Sequence, residues 1–319
     1  MTGTIATEAD LERQLRHVGT GCTEPLAGLF GPSSVMWHVT REQLVFLGAG
    51  RALLLQLAHP WVARGICEHS RTLSDPLDRF QRTFNVMFTM VFGTLDQAQS
   101  AAMRLHRRHA RVTGYLEEGS GIFAQGSPYW ANEISALRWV HATLADTVLV
   151  AYALVFPALT EHQREQYYGE CKLLARLFGI PQEQMPANWA AFADYNRAMH
   201  ESDALGVGAD ARRLSESLLD GGAVWLRAPG WYRAVTARLL PPRLREAFGL
   251  PYGEAERRQA EAAIAWIRRV YPALPERLRC VGPYHEAKAR LSGRCGPDLL
   301  TRLTNRLWIG QPWMDRVGS

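Results

Sequence analysis

From Arg41 onward the apolar residues keep helical spacing, and Pro or Gly stands at nearly every junction between runs. Leu44 and Leu47, then Leu53, Leu54 and Leu57, define a first helix that stops at His59-Pro60, because the residue before proline is pushed out of the α region. Asp75 followed by Pro76 predicts a cap and first helical position for a helix reaching Phe92, with Phe80, Phe84, Met87, Phe88 and Val91 as its apolar stripe and Gly93 as its end. Thr94 predicts the cap of a third helix, Leu95 to Thr113, closed by Gly114. Further helices are predicted over 133–157, from the T-E-H-Q cap box at 160–163 through Phe178, and over about 188–204. Helical spacing also covers 210–219, 231–240, 242–248, 253–270 and 297–309. No period-two alternation is sustained and no fixed-period repeat occurs, so the predicted class is all-α.

No Pro/Gly/Ser-rich linker divides the 319 residues, which predicts a single helical domain over 41–319. Residues 1–40, mixed in Gly, Pro, Ser and Thr with a short amphipathic piece from Leu11 to Val18, are expected to form an N-terminal surface segment, docked by Trp37 and Val39. A hydrophobic fraction of 47% suffices for a large core. The net charge of +5 comes almost entirely from scattered arginines, without the basic stripe or motif of a nucleic-acid binder. Five cysteines without a C-x-x-C pair indicate neither a disulfide framework nor a zinc knuckle. The longest apolar stretch, 134–159, is interrupted by Arg138, His141, Asp146 and Pro157, and its uncharged part is about fourteen residues against the roughly twenty needed to span a bilayer. With no signal-peptide pattern at the N-terminus, no transmembrane segment and a cytoplasmic location are expected.

The chemistry-bearing residues gather between 51 and 114. His59, His69, His106 and His109 stand with Arg79, Arg82 and Thr83 among Leu, Val, Phe and Met, where an unpaired imidazole or charge costs several kcal/mol. His106 and His109, three apart, share a helix face; the ordinary reading is a solvated pair among Arg104, Arg107, Arg108 and Arg111. Arg79 and Thr83, four apart, could converge on a carboxylate ligand, or Arg79 could simply pair with Asp75 or Asp78. His141 lies mid-helix in W-V-H-A-T-L, where a lone histidine is more often a satisfied core residue than a ligand. There is no G-x-S-x-G, Walker loop, H-E-x-x-H or paired E-x-x-H motif. Spacing alone therefore leaves a helical protein with a histidine-rich interior.

The run A-L-L-L-Q-L-A-H-P-W-V-A-R-G-I-C-E-H-S-R-T-L-S-D-P-L-D-R-F-Q-R-T, followed by V-F-G-T, H-A-R-V-T-G, W-V-H-A-T-L-A-D-T and L-T-E-H-Q-R-E-Q-Y-Y-G-E, closely resembles the oxygenase family of MpaB and the latex-clearing rubber oxygenases, over about residues 35–200 and nearest to its short bacterial branch. The resemblance implies a globin-like helical core around a buried pocket for b-type haem. It implies that His109 is the iron ligand, that Arg79 and Thr83 match the pocket residues of the family's R-x-x-K-T motif, and that His59 and His141 are further pocket candidates. Arg82 stands where rubber oxygenases have lysine; because arginine stays protonated and offers only donors, it is expected to donate to bound dioxygen or a propionate, not to ligate iron. A second departure is Glu133-Ile134 in place of D-P before the W-V-H-A-T helix.

The function implied is haem-dependent oxidation or cleavage of an apolar, unsaturated small molecule by dioxygen, with an electron donor of unknown kind if one is needed. The alternatives are a non-catalytic haem protein, sensor or carrier, and a helical interaction module without cofactor. W-L-R-A-P-G-W at 225–231 and L-P-P-R-L at 240–244 read as substrate-side or packing segments.

Overall fold

Polar side chains cap the starts of several helices in the computed structural model, which describes residues 4–70, 75–220, 228–294 and 296–315. In chain order these form α1 (Glu8–Gly21), α2 (Val35–Thr40), α3 (Val45–Leu57), α4 (Pro60–His69), α5 (Pro76–Phe92) and α6 (Leu95–His109), then an antiparallel pair, β1 (Thr113–Tyr115) and β2 (Pro128–Trp130). The remainder is α7 (Ile134–Ala153), α8 (Glu161–Leu177), α9 (Trp189–Glu201), α10 (Ala209–Asp220), α11 (Gly230–Leu239), α12 (Pro242–Ala247), α13 (Glu254–Val270), α14 (Glu276–Arg279), α15 (Gly282–Leu291) and α16 (Leu299–Ile309). The protein is predominantly helical.

The Asp75 carboxylate accepts from the Asp78 N–H at 3.0 Å and Pro76 takes the first turn, so α5 starts and ends where the sequence predicts. Thr94 with Gln97 and Thr160 with Gln163 close reciprocal capping boxes at the starts of α6 and α8. Glu133 does for α7 what an aspartate would do: its carboxylate accepts from the Ala136 N–H at 2.8 Å and from the Ser135 hydroxyl at 2.6 Å.

Two expectations need correction. The third predicted helix does not reach Thr113: α6 ends at His109, and Thr113–Tyr115 leave it to pair with Pro128–Trp130. His59-Pro60 ends α3 as expected, but Pro60 also occupies the first turn of α4, a helix that the periodicity did not reveal. Of the N-terminal segment, α1 buries Leu11, Leu15 and Val18 and packs on α6 and α8. Trp37 is fully buried, and the Glu170 carboxylate caps α2 by accepting from the Val35 and Met36 N–H groups. Among the described residues no disulfide forms, and no helix is long and apolar enough to cross a membrane.

The centre of the fold is the contact of α3 with α7. Gly48 and Gly50 permit it: a Cβ on Gly48 would meet the Thr147 side chain at 2.4 Å, and one on Gly50 would meet Thr236 of α11 at 2.6 Å. Trp139 donates to the Leu55 carbonyl at 2.9 Å. Arg51, buried, is clamped by Asp146 at 2.6 Å, by the Thr147 hydroxyl at 2.5 Å and by the Leu239 carbonyl of α11 at 3.0 Å. Removing one partner of such a pair leaves a buried charge uncompensated. Asp146→Ala is therefore expected to destabilise the fold by about 3 kcal/mol in urea denaturation. A loss below about 1 kcal/mol would show that the clamp is solvated.

Candidate cofactor site

Most polar residues of the motif-rich region have structural work that accounts for them. Glu68 accepts from the Tyr129 hydroxyl at 2.8 Å and pairs with Arg64 at 3.2 Å. His69 Nε2 contacts the Thr113 carbonyl at 3.0 Å and the Tyr129 hydroxyl at 3.1 Å, so Glu68 and His69 fasten the hairpin to α4. Gly114 is required by the same packing, since a Cβ there would sit 2.8 Å from the Tyr129 hydroxyl. In W-V-H-A-T-L-A-D-T, Trp139, Asp146 and Thr147 hold α3, and Thr143 accepts from Gln56 at 3.1 Å. In E-Q-Y-Y-G-E, Tyr167 and Tyr168 donate to the Ala145 and Pro186 carbonyls, and Glu170 caps α2.

What remains is a small set without such partners. On α5 two acids lie within sequence reach of Arg79, and neither takes it. Asp75 is engaged by the cap, and Asp78 receives Arg82 Nε at 2.9 Å on the exposed surface. Arg79 has the Ser70 hydroxyl at 3.1 Å and no carboxylate among the described residues, and burial pushes its guanidinium down to about 10. Thr83, exposed, donates its hydroxyl to the Arg79 carbonyl at 2.9 Å.

His109 ends α6, and its carbonyl accepts from the Val112 N–H at 2.9 Å as the chain turns into β1. Burial holds its imidazole down to about 4, aided by the charges of Arg108, His106 and Arg79. Arg79 on α5 thus acts on the histidine of α6. Countering them is the side chain of Asn132, buried just before α7, whose Nδ2 donates to the His106 carbonyl at 3.1 Å. Asn132 was not singled out from the sequence; its position between the hairpin and the α7 cap was the only signal. Both His109 and Arg79 retain some accessible surface.

His141 is closed in. It is buried against Phe178 with ring centroids 6.0 Å apart, neither nitrogen has a well-formed hydrogen bond, and burial pushes it down to about 4, with the Cys171 carbonyl opposing. Asp146, five residues on along the same helix, belongs to Arg51. His59, also lowered to about 4 by burial, lies against Phe123 and Trp61; its Nδ1 and the Trp61 Nε1 both lack partners. A cleft of about 740 Å³ lined in part by Arg51, His200, Leu239 and Arg243 lies elsewhere. Its arginines are engaged: Arg51 by Asp146, and Arg243 by the His200, Ser202 and Leu205 carbonyls, a packing role for L-P-P-R-L. Residues 225–227 of the W-L-R-A-P-G-W segment, like 71–74 of the first motif run, lie outside the described residues.

Among the described residues no three His, Cys, Asp or Glu side chains converge as a metal cluster. A bare metal ion would need such a set, whereas a prosthetic group that brings its own equatorial ligands needs a single protein donor. One neutral imidazole near one uncompensated guanidinium meets that smaller requirement.

Residues 36–269 match the catalytic domain described as ER-bound oxygenase mpaB/B′/rubber oxygenase. The match spans well over half of the chain, and the protein belongs to this oxygenase family. No curated protein and no solved structure matches it.

The three deeply buried imidazoles have a consequence for stability. Each of His59, His109 and His141 falls from the ordinary 6.5 to about 4 in the fold, so between those values the unfolded chain binds protons that the fold refuses. Stability is full above pH ~6.5 and falls as the pH is lowered through that window, by about 1–3 kcal/mol per group. Thermal midpoints followed from pH ~7 to ~4 should drop, and His141→Leu should flatten the curve. A midpoint constant over that range would contradict the burial of these rings.

Proposed function

We propose that this protein is a haem-dependent oxygenase in which His109 ligates the iron and Arg79 binds a haem propionate. The observation that carries the reading is Arg79: a buried guanidinium whose two neighbouring acids are both committed elsewhere. A carboxylate brought by a ligand would satisfy it, and arginine's planar fork suits a carboxylate. The donor set fits haem in a second respect, since His109 is neutral over the physiological range and a neutral imidazole is the ligating form.

The residues divide the work. His109 would hold the iron through a ring nitrogen, and Asn132, tied to the His106 carbonyl beside it, would orient the imidazole. Arg79 neutralises one propionate, and Thr83, one turn on, places a hydroxyl beside it. Arg82, exposed and held by Asp78 through a weak surface pair, is a donor at the rim, free to exchange that acid for a propionate or for bound dioxygen. His59 and His141, each buried with an open ring nitrogen, are further candidates to line the pocket. When bound, the haem would supply the activation of dioxygen for oxidation or cleavage of an unsaturated bond in an apolar molecule. Phe80, Phe84 and Met87, half-buried on the α5 face, supply apolar wall.

Protein produced with haem available should show a Soret band at one haem per chain. His109→Ala should abolish it, Arg79→Met should weaken haem retention, and Asn132→Ala should lower haem affinity about tenfold or more. Full haem retention by His109→Ala would overturn the ligand assignment. Dioxygen uptake that depends on an added apolar alkene separates the oxygenase from a haem carrier or sensor, which would show the band alone.

A further inference from the structure

Helix α16 is built inside out. Its buried face is Thr301, Asn305 and Ile309, whereas Leu299, Leu303 and Leu307, spaced four apart, are exposed by 75%, 61% and 59%, with Leu300 at 40% beside them. The inner face is held by polar bonds, Asn305 donating to Glu286 at 3.1 Å and to the Pro312 carbonyl at 3.2 Å, and by Trp308 stacked on Phe46 at 3.8 Å. An exposed leucine stripe on a helix whose own packing uses polar side chains is not a by-product of core formation. Beyond its cap the helix carries Arg302 and Arg306 and no acid; Arg302 is half-buried, donating to the Pro297 carbonyl at 3.0 Å and lying over the Trp313 ring, whereas Arg306 is exposed without an acidic partner among the described residues, and exposed Arg294 precedes the helix.

We propose that α16 is a peripheral docking surface for an anionic phospholipid bilayer, its leucines entering the interface and its arginines meeting the headgroups. The charge pattern selects this occupant. A second copy seated on the same face by a two-fold axis would bring the arginines of both helices together, and the acid at the cap, Asp298, is already paired with Arg277, whereas anionic lipid supplies the opposite sign. The placement has a use. Gln81 of α5 donates to the Arg306 and Leu307 carbonyls, so the stripe runs beside the half of α5 that bears Arg79 and Thr83, with exposed Leu77 one turn before Gln81. An apolar substrate dissolved in a bilayer would then be presented next to the site. This docking lies outside the matched catalytic domain and stands whether or not haem is bound.

The test is co-sedimentation of the full chain with vesicles of phosphatidylcholine, with and without phosphatidylglycerol. The protein should bind the anionic vesicles and bind neutral ones far less, with binding falling as salt is raised. Arg306→Gln should weaken binding about fivefold. Leu303→Glu/Leu307→Glu should weaken it by more than about tenfold. The substituted leucines are already solvated, so the circular dichroism spectrum and thermal midpoint should match wild type. Wild-type protein that stays in the supernatant with anionic vesicles, or a double variant that sediments as wild type does, would overturn the proposal. So would a dimer in light scattering that the double variant converts to monomer, which would assign the face to a second copy.

Discussion

An arginine buried without an acid is the constraint on which the account of this protein turns. Desolvating a guanidinium costs several kcal/mol, and folded chains ordinarily offset it with a carboxylate. Here the cap of α5 takes Asp75 and the solvent-facing side of the helix takes Asp78, so the two acids nearest in sequence leave Arg79 with one serine hydroxyl among the described residues. Across from it, α6 ends in a histidine kept neutral by burial. A cation without an anion and a neutral imidazole, brought near each other by two successive helices, are what we propose as the chain's half of a cofactor site.

The rest of the fold makes that arrangement rigid. Arg51, in contrast to Arg79, is fully compensated, and its bonds to α7 and α11 tie three helices to one guanidinium. Glycines at 48 and 50 let those helices approach closely enough for the clamp to close. The hairpin fastened by Glu68, His69 and Tyr129 sets the direction in which the chain leaves His109, and Asn132 at its far end returns to the His106 carbonyl, one turn earlier on α6. The family motifs are thus mainly scaffold, with the uncompensated residues set among them.

Much of this was legible in the sequence, for identifiable reasons. Caps are local, so Asp75-Pro76, Thr94 and T-E-H-Q located the starts of three helices. The end of α6 was not legible because Val112 and Thr113 continue a helical spacing; their strand partner lies fifteen residues downstream, where P-Y-W is the sole hint. Proline 60 was read only as a stop, although the residue that ends one helix can open the next. At the site, the resemblance separated His109 from His106, which spacing alone could not do. Which acid Arg79 would take was a question of competition between a cap and a surface pair, and only the three-dimensional arrangement decides it. Asn132 was invisible for the same reason, since its partners come from a helix more than twenty residues earlier.

The central claim is best tested by a crystal structure of the protein reconstituted with haem. The account predicts iron bonded to an imidazole nitrogen of His109, Asn132 beside that ring and a propionate against Arg79. Iron ligated by any other side chain, or haem bound with Arg79 still without an anion, would contradict it.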